Sequence, residues 1–310
     1  MSEAVSLKEN KMGTMPVGKL VISMSLPIMI SMMVQALYNV VDTIFVSRIS
    51  EAALTALSMQ FPIFSLMIAF GVGTTVGMGA LLSRSLGEKN FEKVNKAATN
   101  GMFLAVCNFI LFFIVGVFLV KPFYRIQTSD LEIVNAGISY STILCSVSFC
   151  MFFQITFERL LQATGKTVYS MIVQLVGALV NIALDPVLIF GYFGLPKMGV
   201  AGAAVATVIG QLTGAVVGLV LNLRINKEVN LSLKGFKADK MTIGEIYKVG
   251  VPTIIMQSIG SVMVYGLNRI LINFSSTATA VFGVYFKLQS FVFMPVFGLN
   301  NGMVPILAYN

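Results

Sequence analysis

The sequence predicts an all-α polytopic membrane protein, with a six-helix N-terminal lobe followed by the first two helices of a second, parallel-repeat lobe. Three observations carry that expectation. The 310 residues are 56% hydrophobic and only 11% charged, with a mean hydropathy of +0.87. A soluble domain carries about 25% charged residues, so a soluble enzyme is excluded. Apolar runs of about 20 residues, the length of a membrane helix, recur along the chain. A weak internal repeat also relates the end of the chain to its beginning.

The elements follow in order. Residues 1–19 are polar and form a tail with no cleavable signal, leaving span 1 as the uncleaved signal. Apolar runs then predict eight spans, at roughly 20–46, 54–82, 97–120, 134–157, 168–191, 199–222, 246–273 and 280–308. Residues 20–222 make the first lobe, 223–245 a polar inter-lobe loop, and 246–310 a partial second lobe. Cys107, Cys145 and Cys150 sit in apolar stretches without metal-ligand spacing and read as reduced core thiols. His is absent, which removes imidazole as base or ligand, and no cofactor is implied.

Orientation comes from the distribution of Lys and Arg. Fifteen lie on the side of the N-terminus, among them Arg159, and four on the other: Arg48, Lys121, Arg125 and Lys197. Basic residues concentrate on the cytoplasmic side. The N-terminus is therefore expected in the cytoplasm of a plasma (inner) membrane protein. The net charge of +8 is a topology signal, and no nucleic acid partner is expected. Arg269, near the far end of span 7, is read as snorkelling to the interface.

Sliding the chain by 225 residues lays span 7 on span 1 and span 8 on span 2 without a gap. Pro27/Pro252, Ser65/Ser290, Gly73/Gly298, Gly77/Gly302 and Met78/Met303 are identical pairs in that register. Six spans separate the copies, so both enter the membrane in one direction, as in parallel-repeat transporters. The second copy has two spans, which reads as an incomplete version of a protein of about twelve.

Ionisable residues inside hydrocarbon are costly and mark ion or substrate paths. Of thirteen acids, eleven, Glu158 included, are placed in loops or at span ends. Asp42 and Asp185 remain inside. On span 1, Gln35, Tyr38, Asn39 and Asp42 repeat at helical spacing as one polar face. On span 5, Asn181 and Asp185 are four apart, and Pro186 removes the helical partner of the Ile182 carbonyl. Span 6 adds Thr207 and Gln211. At 1.5 Å per residue, Asp42, Asp185 and Thr207 lie at similar depths and can share one pocket. That pocket suits a proton or Na⁺, and the residues leave the choice open. Gly202, Ala206, Gly210, Gly214 and Gly218 form a small-residue stripe that reads as close helix packing.

These residues resemble the multidrug and toxic compound extrusion (MATE) family. The carriers are SLPIMISMMVQALYNVVDTIFVS, LLSRSLGEKN, ERLLQATGKT, NIALDPVLIFG, GVAGAAVAT and GVPTIIMQ, spread from Pro27 to Asn310. The resemblance implies two six-helix lobes in a V, twelve helices in full, and export of cationic, amphipathic compounds driven by H⁺ or Na⁺. It implies ion binding at Asp42, Asn181, Asp185 and Thr207, and matches Gln35, Tyr38 and Asn39 to the polar face of span 1. Cationic drugs and lipid are the expected partners, with the chain a monomer. Two other readings stand beside it. A flippase for lipid-linked sugars would need cations in the cavity. An intramembrane aspartyl protease would use Asp42 and Asp185 but lacks its GxGD-type motif.

Overall fold

The computed structural model describes residues 10–232, 236–271 and 276–310. The side chains of Arg269, Lys287 and Ser290 lie outside what it describes, and so do parts of the tail and of the inter-lobe loop. A single turn, α1 (Lys11–Thr14), precedes ten longer helices: α2 (Val17–Ser47), α3 (Glu51–Gly87), α4 (Phe91–Ile114), α5 (Val120–Gln127), α6 (Leu131–Ser146), α7 (Phe149–Ala163), α8 (Thr167–Phe190), α9 (Val200–Ile225), α10 (Lys240–Leu271) and α11 (Ser276–Tyr309). Helix starts use local chemistry. The side chains of Ser50, Asn90 and Asp130 accept the first free amides of α3, α4 and α6. Gly191, at φ 78°, closes α8 in the left-handed conformation that a side chain would strain.

Six stretches among the described residues are long and apolar enough to cross a membrane, and a bent pair makes a seventh. The third span is longer than expected. It runs from Phe91 to Gln127 through a π-helical segment at Val115–Leu119. The fourth is not one helix but α6 and α7, bent by 49°. Around Ser146-Val147-Ser148 the ladder tightens to three-residue bonds, Ser148 to Cys145 and Cys150 to Val147, a kink of the kind that serines permit. Helix α10 is not among the membrane-length apolar stretches. Its first half carries Lys240, Glu245 and Lys248, and the end of the expected span, residues 272–273, lies outside the described residues.

Helices α2–α9 pack as one bundle, and α10 and α11 lie against it, α10 on α3 and α11 on α2. The small-residue stripe of α9 packs as expected. A Cβ on Gly210 would meet the Gly177 carbonyl of α8 at 2.7 Å, and one on Gly218 the Phe157 Cβ of α7 at 2.9 Å. The repeat register reappears as geometry. Gly73 and Gly77 of α3 press on Ile246, Gly250 and Ile254 of α10, while Gly298 and Gly302 of α11 press on Met29 and Ser25 of α2. Moving the α3 residues, and the α2 residues, forward by 225 turns one crossing into the other. The two crossings are thus copies, related by the repeat.

Both crossings lie towards the face that carries residue 10. There the side chains Met12, Leu20, Met24, Met78, Leu82, Ile246 and Ile306 share one core. Arg159, read from sequence as a loop cation, is instead buried in α7 at 7% exposure, and both its terminal nitrogens reach Asn301 Oδ1 of α11, at 3.3 and 3.4 Å. Away from this face, Ile255, Met256, Ile259, Val262 and Met263 of α10 are exposed.

The same face is tied by polar contacts. Glu228 accepts from Asn10 Nδ2 at 2.7 Å and pairs with Lys166, while Asn10 also donates to the Thr164 carbonyl. Asn310 Nδ2 reaches the Met12 carbonyl at 3.3 Å. The turn α1 therefore staples the end of α11 to the α7–α8 connection. Glu228→Gln removes the charge from a half-buried pair and is expected to cost about 1–3 kcal/mol locally. Tryptic cleavage at Lys11 should accelerate about tenfold, and an unchanged rate would show that the staple does not depend on this pair.

Asp239 opens α10 in a similar way. The Thr242 hydroxyl, with the amides of Met241 and Thr242, donates to its carboxylate and holds its pKa below the usual range. A depressed folded value means that the cap persists as pH falls through the ordinary Asp range and is lost only lower. The Met241 and Thr242 amide resonances should report that late loss, and Asp239→Asn should flatten it.

Candidate functional site

The polar residues of α8 and α9 meet where the glycines let the helices approach. Asp185 is fully buried, Asn181 is 3% exposed and Thr207 8%. Helix α8 runs on through Pro186 to Phe190, so Asn181 and Asp185 share one face of a continuous helix. Asn181 Nδ2 lies 3.3 Å from Asp185 Oδ1 and 3.4 Å from Thr207 Oγ1. Thr207 donates its own proton to the Ala203 carbonyl at 3.0 Å. Its oxygen is therefore free to accept from Asn181, which fixes the orientation of the amide.

Asp42 comes from α2 and stands within electrostatic reach of Asp185. Two desolvated negative charges on neighbouring helices repel strongly, and one cation or one proton between them removes that repulsion. Three buried oxygens in this group have no donor among the described residues: Asp42 Oδ1, Asn181 Oδ1 and Asp185 Oδ2. A buried polar atom left unpaired costs about 1–3 kcal/mol. These three oxygens, carried on the neighbouring helices α2 and α8, are hard acceptors, and Thr207 Oγ1 of α9 lies 3.4 Å from the Asn181 amide. Carboxylate, amide and hydroxyl oxygens are hard donors of the kind that alkali cations and protons take.

Beside this group is a cavity of about 20 Å³, lined by Tyr38, Gln154, Gln174, Asn181, Thr207 and Gln211 among others. It has room for about one water-sized particle. Of the polar face expected on span 1, Tyr38 lines the cavity and Gln35 bonds to Tyr38. Asn39 is exposed and does not line the cavity.

Sequence reasoning passed over several members. Tyr140 of α6, 5% exposed, bonds to Thr207 and faces both Asp42 and Asp185. Gln154 of α7 donates to Glu158 at 2.9 Å and to Gln174 of α8 at 3.3 Å. Glu158, placed from sequence at a span end, is thus a half-buried member of an internal network. The signal for it was two glutamines, Gln154 and Gln174, in apolar runs where an amide needs a partner.

Carboxylates, amides and a hydroxyl gathered among α2, α8 and α9 inside an apolar bundle define a multi-pass membrane protein with an internal, ion-sized polar site. The chain belongs to the MatE family, whose profile matches residues 27–187. It is 29% identical over 294 residues to a multidrug export protein, MepA, of Staphylococcus haemolyticus, covering 94% of this chain and 64% of the relative. The chain therefore spans a little under two thirds of the length of that relative. Among solved structures, the fold is similar to an outward-facing multidrug resistance MATE family transporter of the MOP superfamily. That match has a TM-score of 0.89 and 25% identity, covering 97% of this chain and 66% of the other. A MOP superfamily transporter from Pyrococcus furiosus, described as having a binding pocket of reversed polarity, matches with a TM-score of 0.88 and 25% identity, covering 96% and 65%. The family is one of transporters and not of enzymes, which removes the protease reading.

Proposed function

We propose that this chain is the ion-binding lobe and lobe contact of a secondary exporter of cationic, amphipathic compounds, coupled to H⁺ or Na⁺ at Asp42, Asn181, Asp185 and Thr207. The observation that carries this reading is that Asp42, Asn181 and Asp185 each keep a buried oxygen without a donor among the described residues, near a water-sized cavity lined by Asn181 and Thr207. The names of its relatives support the substrate class.

The basic residues favour a cytoplasmic N-terminus. On that orientation the twin glycine crossings join the two parts on the cytoplasmic side, and the exposed α10 residues from Ile255 to Met263 lie towards the outer side. Helix α2 carries both halves of the device. Ser25 and Met29 hold α11, and Asp42, thirteen residues beyond Met29, lies about 20 Å along the helix. Ion occupancy at Asp42 would tilt the outer half of a helix whose inner half grips the partner, and would bias the two states only by differential affinity. Tyr38, Gln35 and Gln211 extend the polar wall towards substrate.

The test uses the purified 310-residue chain in neutral detergent. Thermal unfolding is followed across Na⁺ concentration and across pH, with Asp185→Asn as the variant. Stabilisation by one ion that the variant abolishes identifies the coupling ion. A wild-type chain indifferent to both ions overturns the reading. Ethidium efflux under matched H⁺ or Na⁺ gradients then tests the substrate class.

A further inference from the structure

Of the four cations on the face opposite residue 10, where membrane proteins carry few, two share one groove. Lys121 and Arg125 stand one turn apart on α5 and line a groove of about 430 Å³ together with Thr128, Ser129 and Asn135. Neither cation pairs with a carboxylate among the described residues. Asp130, the nearest acid in sequence, caps α6 through the amides of Glu132 and Ile133. Like charges four residues apart on a helix repel, and an anion between them converts that repulsion into attraction.

The setting is amphipathic. The π-helical segment at Val115–Leu119 immediately precedes α5, and Tyr124, between the two cations, is buried and bonded to the Ala56 carbonyl and to Ser141. In the groove wall Leu131 is 74% exposed, and Phe118 and Ile126, before and after the two cations in the chain, are 68% and 85% exposed. Exposed apolar side chains near two cations, at the end of a span, match a lipid at the bilayer interface better than a free solute.

We propose that this groove binds an anionic glycerophospholipid through its phosphodiester headgroup. The Arg125 guanidinium presents a planar fork to two phosphate oxygens, Lys121 supplies the second charge, and the Thr128 and Ser129 hydroxyls donate to the rest. The acyl chains run over the exposed apolar side chains. Which leaflet supplies the lipid rests on the orientation proposed above, whereas the ligand itself does not.

The test titrates the purified 310-residue chain in neutral detergent with dioleoylphosphatidylglycerol, dioleoylphosphatidylcholine or inorganic phosphate. Native mass spectrometry counts bound lipid, and thermal unfolding reports stabilisation. The phosphatidylglycerol is expected to bind and stabilise while the other two do not. Lys121→Gln/Arg125→Gln should weaken its binding about thirtyfold, at about fivefold per cation. Lys121→Arg/Arg125→Lys, which keeps both charges, should stay within about threefold of the unmodified chain, and so separates lost charge from lost folding. Equal binding of phosphatidylcholine overturns the proposal, as does equal stabilisation by phosphate alone, which would mark a free-anion site. Undiminished phosphatidylglycerol binding by the doubly neutralised variant overturns it too.

Discussion

Gly77→Ala and Gly302→Ala are each expected to destabilise the protein by about 1–3 kcal/mol, and by similar amounts. At Gly77 the added Cβ would stand 2.0 Å from the Ile246 carbonyl oxygen, and at Gly302 it would stand 2.4 Å from Ser25 Oγ and 2.7 Å from its Cα. Backbone on the partner helix cannot swing away as a side chain end can, so whole helices must separate. Overpacking of that kind costs about 1–3 kcal/mol. Alanine is otherwise the better helix former by about 1 kcal/mol, so Gly260→Ala is the control. Gly260 is inside α10, with nothing within 4 Å of the built Cβ, and its substitution should be neutral or stabilising. Thermal unfolding of the three variants in one detergent decides the matter. If Gly77→Ala matches Gly260→Ala, the crossing is looser than its geometry. If Gly77→Ala and Gly302→Ala differ widely, the repeat does not carry equal loads at its two copies.

Asp185→Asn should separate stability from ion response. The carboxylate is fully buried and one of its oxygens has no donor among the described residues. Neutralising it removes both the desolvation cost and the repulsion with Asp42. Without ion, the variant should therefore be at least as stable as the unmodified chain. With ion, only the unmodified chain should gain, by about 2.7 kcal/mol at a hundredfold excess over Kd. Asp42→Asn should behave alike but more weakly, because Asp42 is only partly buried. A carboxylic acid stretch in the infrared spectrum that disappears in Asp185→Asn would assign the bound species as a proton. A fall in unfolding temperature for Asp185→Asn in the absence of ion would instead mean that the carboxylate is held by donors and serves packing.

The parts of this arrangement legible in the sequence were those where hydrocarbon makes an error expensive. A charge inside a span stands out against its neighbours, so Asp42 and Asp185 were visible, and helical spacing drew Asn181 to the same face. The α9 stripe was visible because small residues every fourth position have few other uses. Tyr140 and Gln154 were not, since a tyrosine or glutamine in an apolar run is common and only its neighbour across the helix gap gives it a task. The bend at Val147 has no Pro or Gly to announce it. Arg159 was counted among loop cations because Asn301, its partner, lies 142 positions away.

The twin crossings also describe a surface that fits itself. What α3 offers through Gly73 and Gly77 is accepted by the counterpart of α2, and what the counterpart of α3 offers is accepted by α2. That is the isologous rule of a two-fold dimer, in which each patch meets a copy of its own partner. Two separate chains carrying only the α2–α3 hairpin surface would satisfy the same rule. The protein holds within one polypeptide an interface of the form by which two identical subunits close on one another.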